Sequence, residues 1–299
     1  MLSGASPAFV LGTVQIGMTY GATNAHDAPA DGHEVLAAAA RAGVQTLDTA
    51  QAYGRSEEII GQVLRENPDG QFSIISKISP DVDRRDRGAV LAACQESVRQ
   101  LGQPLYGCMY HDPAVVYDWN DGAGAGLRDA RDAGLTQRIG VSVYTQDQFR
   151  QALESDGIDI IQAPFNLLDR GLETSGLMDK AIAAGCEVHV RSVFLQGLLL
   201  ADPLKTPERL AFMQPWLQGV RDICQLNGVN PLTASVGYVR QCFPDVRLVI
   251  GCDDGMQLQR NLALFEDEAL PDKFISMIRN LETPPDIVVN PALWPRAAT

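Results

Sequence analysis

The chain has 299 residues, 45% of them hydrophobic, and a formal net charge of −13 from 37 acidic and 24 basic residues. So much apolar side chain excludes global disorder, and the negative field disfavours nucleic acid and anionic membrane surfaces as partners. No apolar run approaches the ~20 residues that span a bilayer. Met1 to Pro7 carry no basic segment of a secretory signal. The six cysteines, Cys94, Cys108, Cys186, Cys224, Cys242 and Cys252, form no CxxC pair and sit near no histidine at metal-ligand spacing. They read as ordinary thiols of a reducing, cytoplasmic compartment, with no metal site.

In chain order, short β-branched runs alternate with helical patterns. Eight strands are predicted: Phe9–Thr13, Gln45–Thr49, Phe72–Lys77, Tyr106–His111, Arg138–Val143, Ile158–Pro164, Glu187–Val193 and Val246–Gly251. Each is a near-continuous apolar run, as parallel strands covered on both faces require. Between them lie helical stretches. Gly32–Ala42 is Ala-rich, and Ser56–Glu66 opens on a Ser and two Glu, which suits a helix start. Arg87–Leu101 places Val90, Leu91, Cys94, Val98 and Leu101 at helical spacing. Gly126–Ala133, Gln146–Ser155 and Leu177–Ala184 follow, several of these helices stopped by a glycine. After the seventh strand the pattern predicts a loop over Leu195–Thr206 and a helix over Pro207–Leu226, and the Pro-rich tail from 284 to 299 is expected to be irregular.

Strand and helix alternating about eight times over a chain of this length predict an α/β fold, a (β/α)8 TIM barrel in a single domain spanning 1–299. An open doubly wound sheet is the competing architecture. Against it, no GxGxxG follows any strand, and Gly12 and Gly17 are wrongly spaced for one.

Such barrels carry their reactive groups where the strands end. The second strand ends at Asp48, and its loop carries Tyr53. The third ends at Lys77, and the fourth at His111. A free phenol has a pKa near 10, too high for ready proton exchange at neutral pH. The Lys77 ammonium is expected to lower that of Tyr53, while Asp48 keeps Lys77 charged and in place. His111 can hydrogen-bond a substrate oxygen or relay a proton. Together the four make a proton donor and an oxyanion site for a carbonyl becoming an alcohol. Asp112 beside His111 reads as a loop cap, and His26, His33 and His189 as solvated or packing residues. Trp119, Tyr144 and Phe194 follow strand ends and are candidates to wall the pocket.

The run Leu47-Asp48-Thr49-Ala50, followed by Tyr53-Gly54 and Ser56-Glu57, resembles the signature of the aldo-keto reductase family. Lys77 and His111 stand where that family has its Lys and His. Leu11-Gly12-Thr13, Gln162 with Phe165 to Asp169, and Ser192 with Gly197-Leu198-Leu199 are similar as well. The resemblance covers nearly the whole chain. It implies NAD(P)H-dependent reduction of an aldehyde or ketone, with Tyr53 as proton donor and the nicotinamide extended on the barrel rim. It also implies a cofactor site of Gly12, Thr13, Ser142, Gln162, Arg191, Ser192, Phe194, Leu195, Gly197, Gly251, Cys252, Asp253, Gln257, Arg260 and Asn261.

The sequence departs from the family at three places. Val143 stands where the family has an Asn that binds the nicotinamide amide. Arg191 stands where an aromatic ring often stacks on the nicotinamide, so a guanidinium stacks there instead or meets an anion. Asp253 and Asp254 stand where members that prefer NADPH have Lys, Arg or Ser. Two carboxylates repel a 2′-phosphate but accept hydrogen bonds from a free ribose diol, so NADH is expected to compete with NADPH, although Arg260 can still reach a phosphate. The partner is a small carbonyl compound, and a weaker similarity to a bacterial branch associated with sugar metabolism makes carbohydrates one class to test. A nucleotide-binding, non-catalytic scaffold or redox sensor and a redox-neutral sugar epimerase that retains its cofactor are the alternative functions.

Overall fold

A computed structural model of the chain describes residues 5–22, 28–67 and 72–295. Eight parallel strands pair in chain order, and the last closes on the first. They are β1 (Phe9–Gly12), β2 (Thr46–Asp48), β3 (Ser73–Ile78), β4 (Leu105–Tyr110), β5 (Thr136–Ser142), β6 (Ile160–Pro164), β7 (Glu187–Arg191) and β8 (Arg247–Gly251). This is the expected (β/α)8 barrel, and each strand lies within two residues of its predicted ends. The helices pack outside it. Val35, Leu36, Ile60, Val90, Leu127, Phe149 and Met178 are buried with the outward faces of the strands in one large apolar core. Among the described residues no helix is long and apolar enough to cross a membrane.

Inside the ring the filling is different. Successive side chains on a strand point to opposite faces, so Ile75 shares its face with Lys77, and Glu187 and His189 share theirs with Arg191. Ile75, Met109 and Ile160 form a small separate buried cluster with Tyr106 packed against it. The functional side chains stand beyond that plug, at the C-terminal ends of the strands.

Two sequence expectations fail locally. Pro207–Leu226 is not one helix: a 3-10 turn over Glu208–Met213 precedes an α-helix over Gln214–Asn227. Pro215 sits in the first turn of that helix, where its missing N–H is harmless; in the interior of a longer one it would break the ladder. The tail is less irregular than expected, with helical turns at Asp286–Val289 and Pro291–Leu293. Asn290 caps the second by accepting from the Ala292 amide at 3.0 Å, and residues 296–299 lie outside the described residues. Helices over Pro231–Cys242 and Asp272–Arg279 were not foreseen.

Candidate active site

Asp48 ends β2, in register with Gly12 of β1 and Ile75 of β3. The turn that follows carries Tyr53, and it is fixed by close backbone packing. A Cβ on Gly17 would lie 1.9 Å from the Tyr53 carbonyl oxygen, and one on Gly54, whose φ is +55°, would lie 2.4 Å from the Gly17 oxygen. Only glycine at both positions lets the helical turn Val14–Gly17 lie against the Tyr53 backbone. A buried hydroxyl chain pins the same turn. Thr49 Oγ1 donates to Ser56 Oγ at 2.9 Å, Ser56 Oγ donates to Thr13 Oγ1 at 2.8 Å, and Thr13 Oγ1 donates to the Asp48 carbonyl at 2.9 Å.

Lys77, in β3, is buried, and its Nζ donates to Asp48 Oδ1 at 2.5 Å and to the Thr49 carbonyl at 3.1 Å. The same nitrogen lies 3.5 Å from Tyr53 Oη. Asp48 Oδ2 accepts from Gln162 Nε2 of β6 at 2.7 Å, so both carboxylate oxygens are used. His111 follows β4, its amide bonded to the Ile78 carbonyl at 3.3 Å. Its ring meets the Tyr53 ring edge-on, with centroids 5.7 Å apart and an 88° interplanar angle. The structure thus brings together the four residues that the sequence singled out.

Electrostatics correct one expectation. The Tyr53 phenol is held above its ordinary value, not below it: burial comes first, the Asp48 carboxylate adds to it, and Arg191 opposes both. At neutral pH Tyr53 is therefore a protonated phenol. Lys77 is pulled down by burial, against which the Asp48 carboxylate acts. His111 is lowered to about 4 by burial and by the Lys77 and Arg191 charges, so it is a neutral imidazole at neutral pH.

Tyr53 and Asp48 line one end of a cleft of about 560 Å³, within the usual size of a small-molecule site. Its walls include Gly12, Thr13, Gln162, Arg191, Ser192, Phe194, Gly197, Gly251, Asp253, Gln257, Arg260 and Asn261, all expected from the sequence. Ser142, Leu195 and Cys252 were expected there too. They are buried at 2%, 0% and 1% exposure and do not line the cleft. Gln162 spends its amide donor on Asp48, and Asn261 Nδ2 donates to the Gly251 carbonyl at 3.3 Å. Ser192, Leu195 and Gln196 have φ of 58°, 48° and 53°. Left-handed backbone at residues other than glycine costs on the order of 1–3 kcal/mol each and gathers at binding sites.

Arg191 closes β7 and faces the cleft. Its Nη2 donates to the Val143 carbonyl at 2.9 Å, its Nη1 to Ser192 Oγ at 3.3 Å, and its guanidinium lies over the Tyr144 ring. Tyr144 therefore supports Arg191. Trp119 does not wall the cleft: it is fully buried, and its Nε1 donates to the Asp156 carbonyl at 2.9 Å. Asp112 caps its loop by accepting from the Ala114 amide at 2.9 Å, and its other oxygen accepts from Arg84 Nη1 at 2.8 Å. His33 is exposed, and His189 is buried against Glu187; His26 lies outside the described residues.

The sequence reading missed Gln15, Tyr20, Gln196 and Leu232 as cleft residues. Gln196 Nε2 donates to Tyr20 Oη at 3.3 Å, tying the loop after β1 to the loop after β7. Two buried polar atoms beside the cleft have no hydrogen-bond partner, Gln15 Oε1 and His111 Nδ1. Gln15 fits there because Gly251 is bare; a Cβ on it would lie 2.2 Å from Gln15 Oε1. Partnerless polar atoms and left-handed backbone in and beside the cleft wall fit a ligand rich in polar groups, such as a dinucleotide.

A closed barrel with this cleft and this tetrad defines a carbonyl oxidoreductase class, and sequence comparison agrees. The model of the Aldo/keto reductase family matches residues 8–283. The chain belongs to that family and is an NAD(P)H-dependent oxidoreductase. It is 24% identical to pyridoxal 4-dehydrogenase of Microbacterium luteolum, over 90% of this chain and 92% of that protein. It is 28% identical to the NADH-specific methylglyoxal reductase of Escherichia coli K12, over 56% and 57%. Among solved structures, a holo-form aldo-keto reductase of Bacillus halodurans superposes with a TM-score of 0.73, at 16% identity over 97% of this chain and 98% of that one. An aldo/keto reductase of Klebsiella pneumoniae, solved with NADP and acetate, gives 0.69 at 21% identity over 93% and 92%.

Proposed function

We propose that the protein reduces an aldehyde or ketone to an alcohol, with Tyr53 as the proton donor. The observation that carries this reading is the Lys77 Nζ, held 2.5 Å from Asp48 and 3.5 Å from the Tyr53 hydroxyl that faces the cleft. When bound, a reduced nicotinamide would supply the hydride for the carbonyl carbon. As the C=O electron pair moves onto oxygen, that oxygen takes the Tyr53 proton. The phenolate left behind is stabilised by the Lys77 ammonium, which Asp48 holds charged. Neutral His111 donates an N–H to the same oxygen and fixes its position beside Tyr53. Solvent reprotonates Tyr53 after release.

Gln15, Gly251, the Ser192–Gly197 turn and Arg191, all in the cleft wall, would hold the dinucleotide. The relatives named for pyridoxal and for methylglyoxal handle small carbonyl compounds, and this supports a small carbonyl substrate here. The test is to mix the purified protein with NADH or NADPH and a panel of aldehydes, ketones and reducing sugars, following loss of nicotinamide absorbance and formation of alcohol. Turnover of at least one carbonyl class is expected. Nucleotide binding without reduction of any member would sink the reading.

A further inference from the structure

Among the described residues, Asp48, Arg191, Asp253 and Arg260 are the charged side chains that line the cleft. Asp48 is spent on Lys77 and Gln162. Arg191 is the cation felt at the reacting groups: its charge favours the Tyr53 phenolate and disfavours protons on Lys77 and His111. Around Tyr53 the charges of Lys77 and Asp48 offset each other, and His111 and the phenol are neutral. Arg191 is left uncompensated. Its hydrogen bonds go to two neutral groups, the Val143 carbonyl and Ser192 Oγ, and among the described residues no carboxylate pairs with it. Asp169 feels its charge, but burial raises that carboxyl to about 7, so it is a poor counterion. Acids are not scarce, at 37 against 24 basic residues. An arginine left without one beside a proton donor is free for an outside anion.

The guanidinium is also prepared for one. It carries five N–H donors in one plane, and the two bonds above use one on each Nη. A carboxylate accepts two parallel N–H bonds from such a fork. The Tyr144 ring, 4.1 Å away, fixes the plane before any ligand arrives, which lowers the ordering cost of binding. A guanidinium offers its faces to rings and its edge to anions, so contact with the dinucleotide and with a carboxylate need not compete.

We infer that Arg191 is a specificity-determining residue whose spare N–H groups bind a carboxylate on the substrate, so that the cleft selects oxo acids over uncharged carbonyl compounds. The carboxylate anchors the substrate and keeps its charge throughout; hydride and proton go to the C=O group alone. The inference rests on the reading above that this cleft reduces carbonyl compounds.

The test compares acids with their methyl esters, which remove the charge at little change in size. With saturating NADH or NADPH, kcat/KM is measured for pyruvate against methyl pyruvate and for terephthalaldehydate against its methyl ester. The first pair sets the carboxylate beside the carbonyl, the second across a ring from it. In at least one pair the wild-type protein is expected to use the acid about tenfold or more better than the ester, the scale of a charge-assisted fork. Arg191→Met should cut that acid-to-ester ratio by about tenfold or more, and Arg191→Lys, which keeps the charge without the fork, should cut it less. A ratio taken within one variant cancels any loss of stability or nucleotide affinity common to both substrates, so a purely bracing role for Arg191 leaves it unmoved. Esters used as well as the acids in both pairs, or a ratio unchanged in Arg191→Met, overturns the inference and leaves the carbonyl-reductase reading intact. So does turnover of other carbonyls with none of these four. Reduction of no carbonyl compound at all overturns both.

Discussion

The guanidinium carbon of Arg191 lies 4.1 Å from the centroid of the Tyr144 ring, and the same side chain donates to the carbonyl of Val143, the residue just before that ring. One planar group thus braces the ends of β5 and β7 and holds a positive charge in the cleft wall. Lysine cannot reproduce this, since it lacks the planar face and the fork of donors. Arg191→Lys is expected to lose about 1–3 kcal/mol of stability, because the Val143 carbonyl is left without a donor. Chemical denaturation would check it. Arg191→Met also removes the charge, so the His111 titration should move up from about 4 while burial keeps it below its ordinary value. An NMR titration of His111 that did not move would refute the coupling.

Tyr53→Phe deletes the hydroxyl beside Lys77 and little else. General acid catalysis contributes roughly 10²- to 10⁴-fold, so carbonyl reduction should fall by that range. Nucleotide affinity, which does not use the hydroxyl, should stay within about twofold. Stopped-flow hydride transfer with a fluorescence binding titration separates the two effects. A variant that reduces at the wild-type rate excludes Tyr53 as the donor.

Acid sensitivity follows from His111. Its folded value, about 4, is below the ordinary imidazole value of 6.5. The unfolded chain therefore binds the proton first. The stability from keeping His111 neutral is complete above about pH 6.5 and is lost as the pH falls to about 4. The slope from one such group is at most about 1.4 kcal/mol per pH unit. Asp169, raised to about 7 by burial, works in the opposite sense across an overlapping range. The comparison of wild type with His111→Gln isolates the imidazole: the variant should lose less stability between pH 6.5 and 4, as read by urea midpoints. Parallel curves would refute the assignment.

Glu187 is the corresponding, half-buried anchor at the opposite end of the barrel. It accepts from Tyr106 Oη at 2.6 Å, bonds His189 Nε2 at 2.7 Å and pairs with Arg247 Nε at 3.2 Å. Burial raises its carboxyl, but His189, Tyr106 and Arg247 prevail and hold it down to about 2. Its stabilisation is therefore present above the ordinary carboxylate value and lost as the pH falls toward about 2. Glu187→Gln removes the carboxylate that Tyr106, His189 and Arg247 share and should cost about 1–3 kcal/mol. Activity per folded molecule should be unchanged, since Glu187 begins β7 and the cleft lies beyond its other end. Equal urea midpoints for variant and wild type would contradict the network.

The eight strands and the tetrad positions were legible because both are local in the chain. A strand buried on two faces must be apolar along its length, and a residue at its C-terminal end has one place to be once the barrel closes. Asp48, Lys77 and His111 end three successive strands, so closure alone brings them together. β7 was the strand least well described by that rule. Its Glu-Val-His-Val-Arg alternates polar and apolar, and the polar face fills the inside of the barrel from Glu187 to Arg191. Leu195 and Cys252 were misjudged as cleft residues because the left-handed turn after β7 and the end of β8 turn them into the core, which a linear pattern does not reveal.

By itself, then, the sequence determined the closed barrel, the four residues at its rim and the sign of the charges at Arg191, Asp253 and Asp254. Partners were decided only by the tertiary structure. Gln162 is committed to Asp48 across 114 residues, Arg191 to Val143 across 48, and Glu34 to the Gly255 amide across 221. A hydrogen bond needs heavy atoms within about 3 Å and the right angle. Strand register and helix packing set those distances, and no spacing in the sequence encodes them.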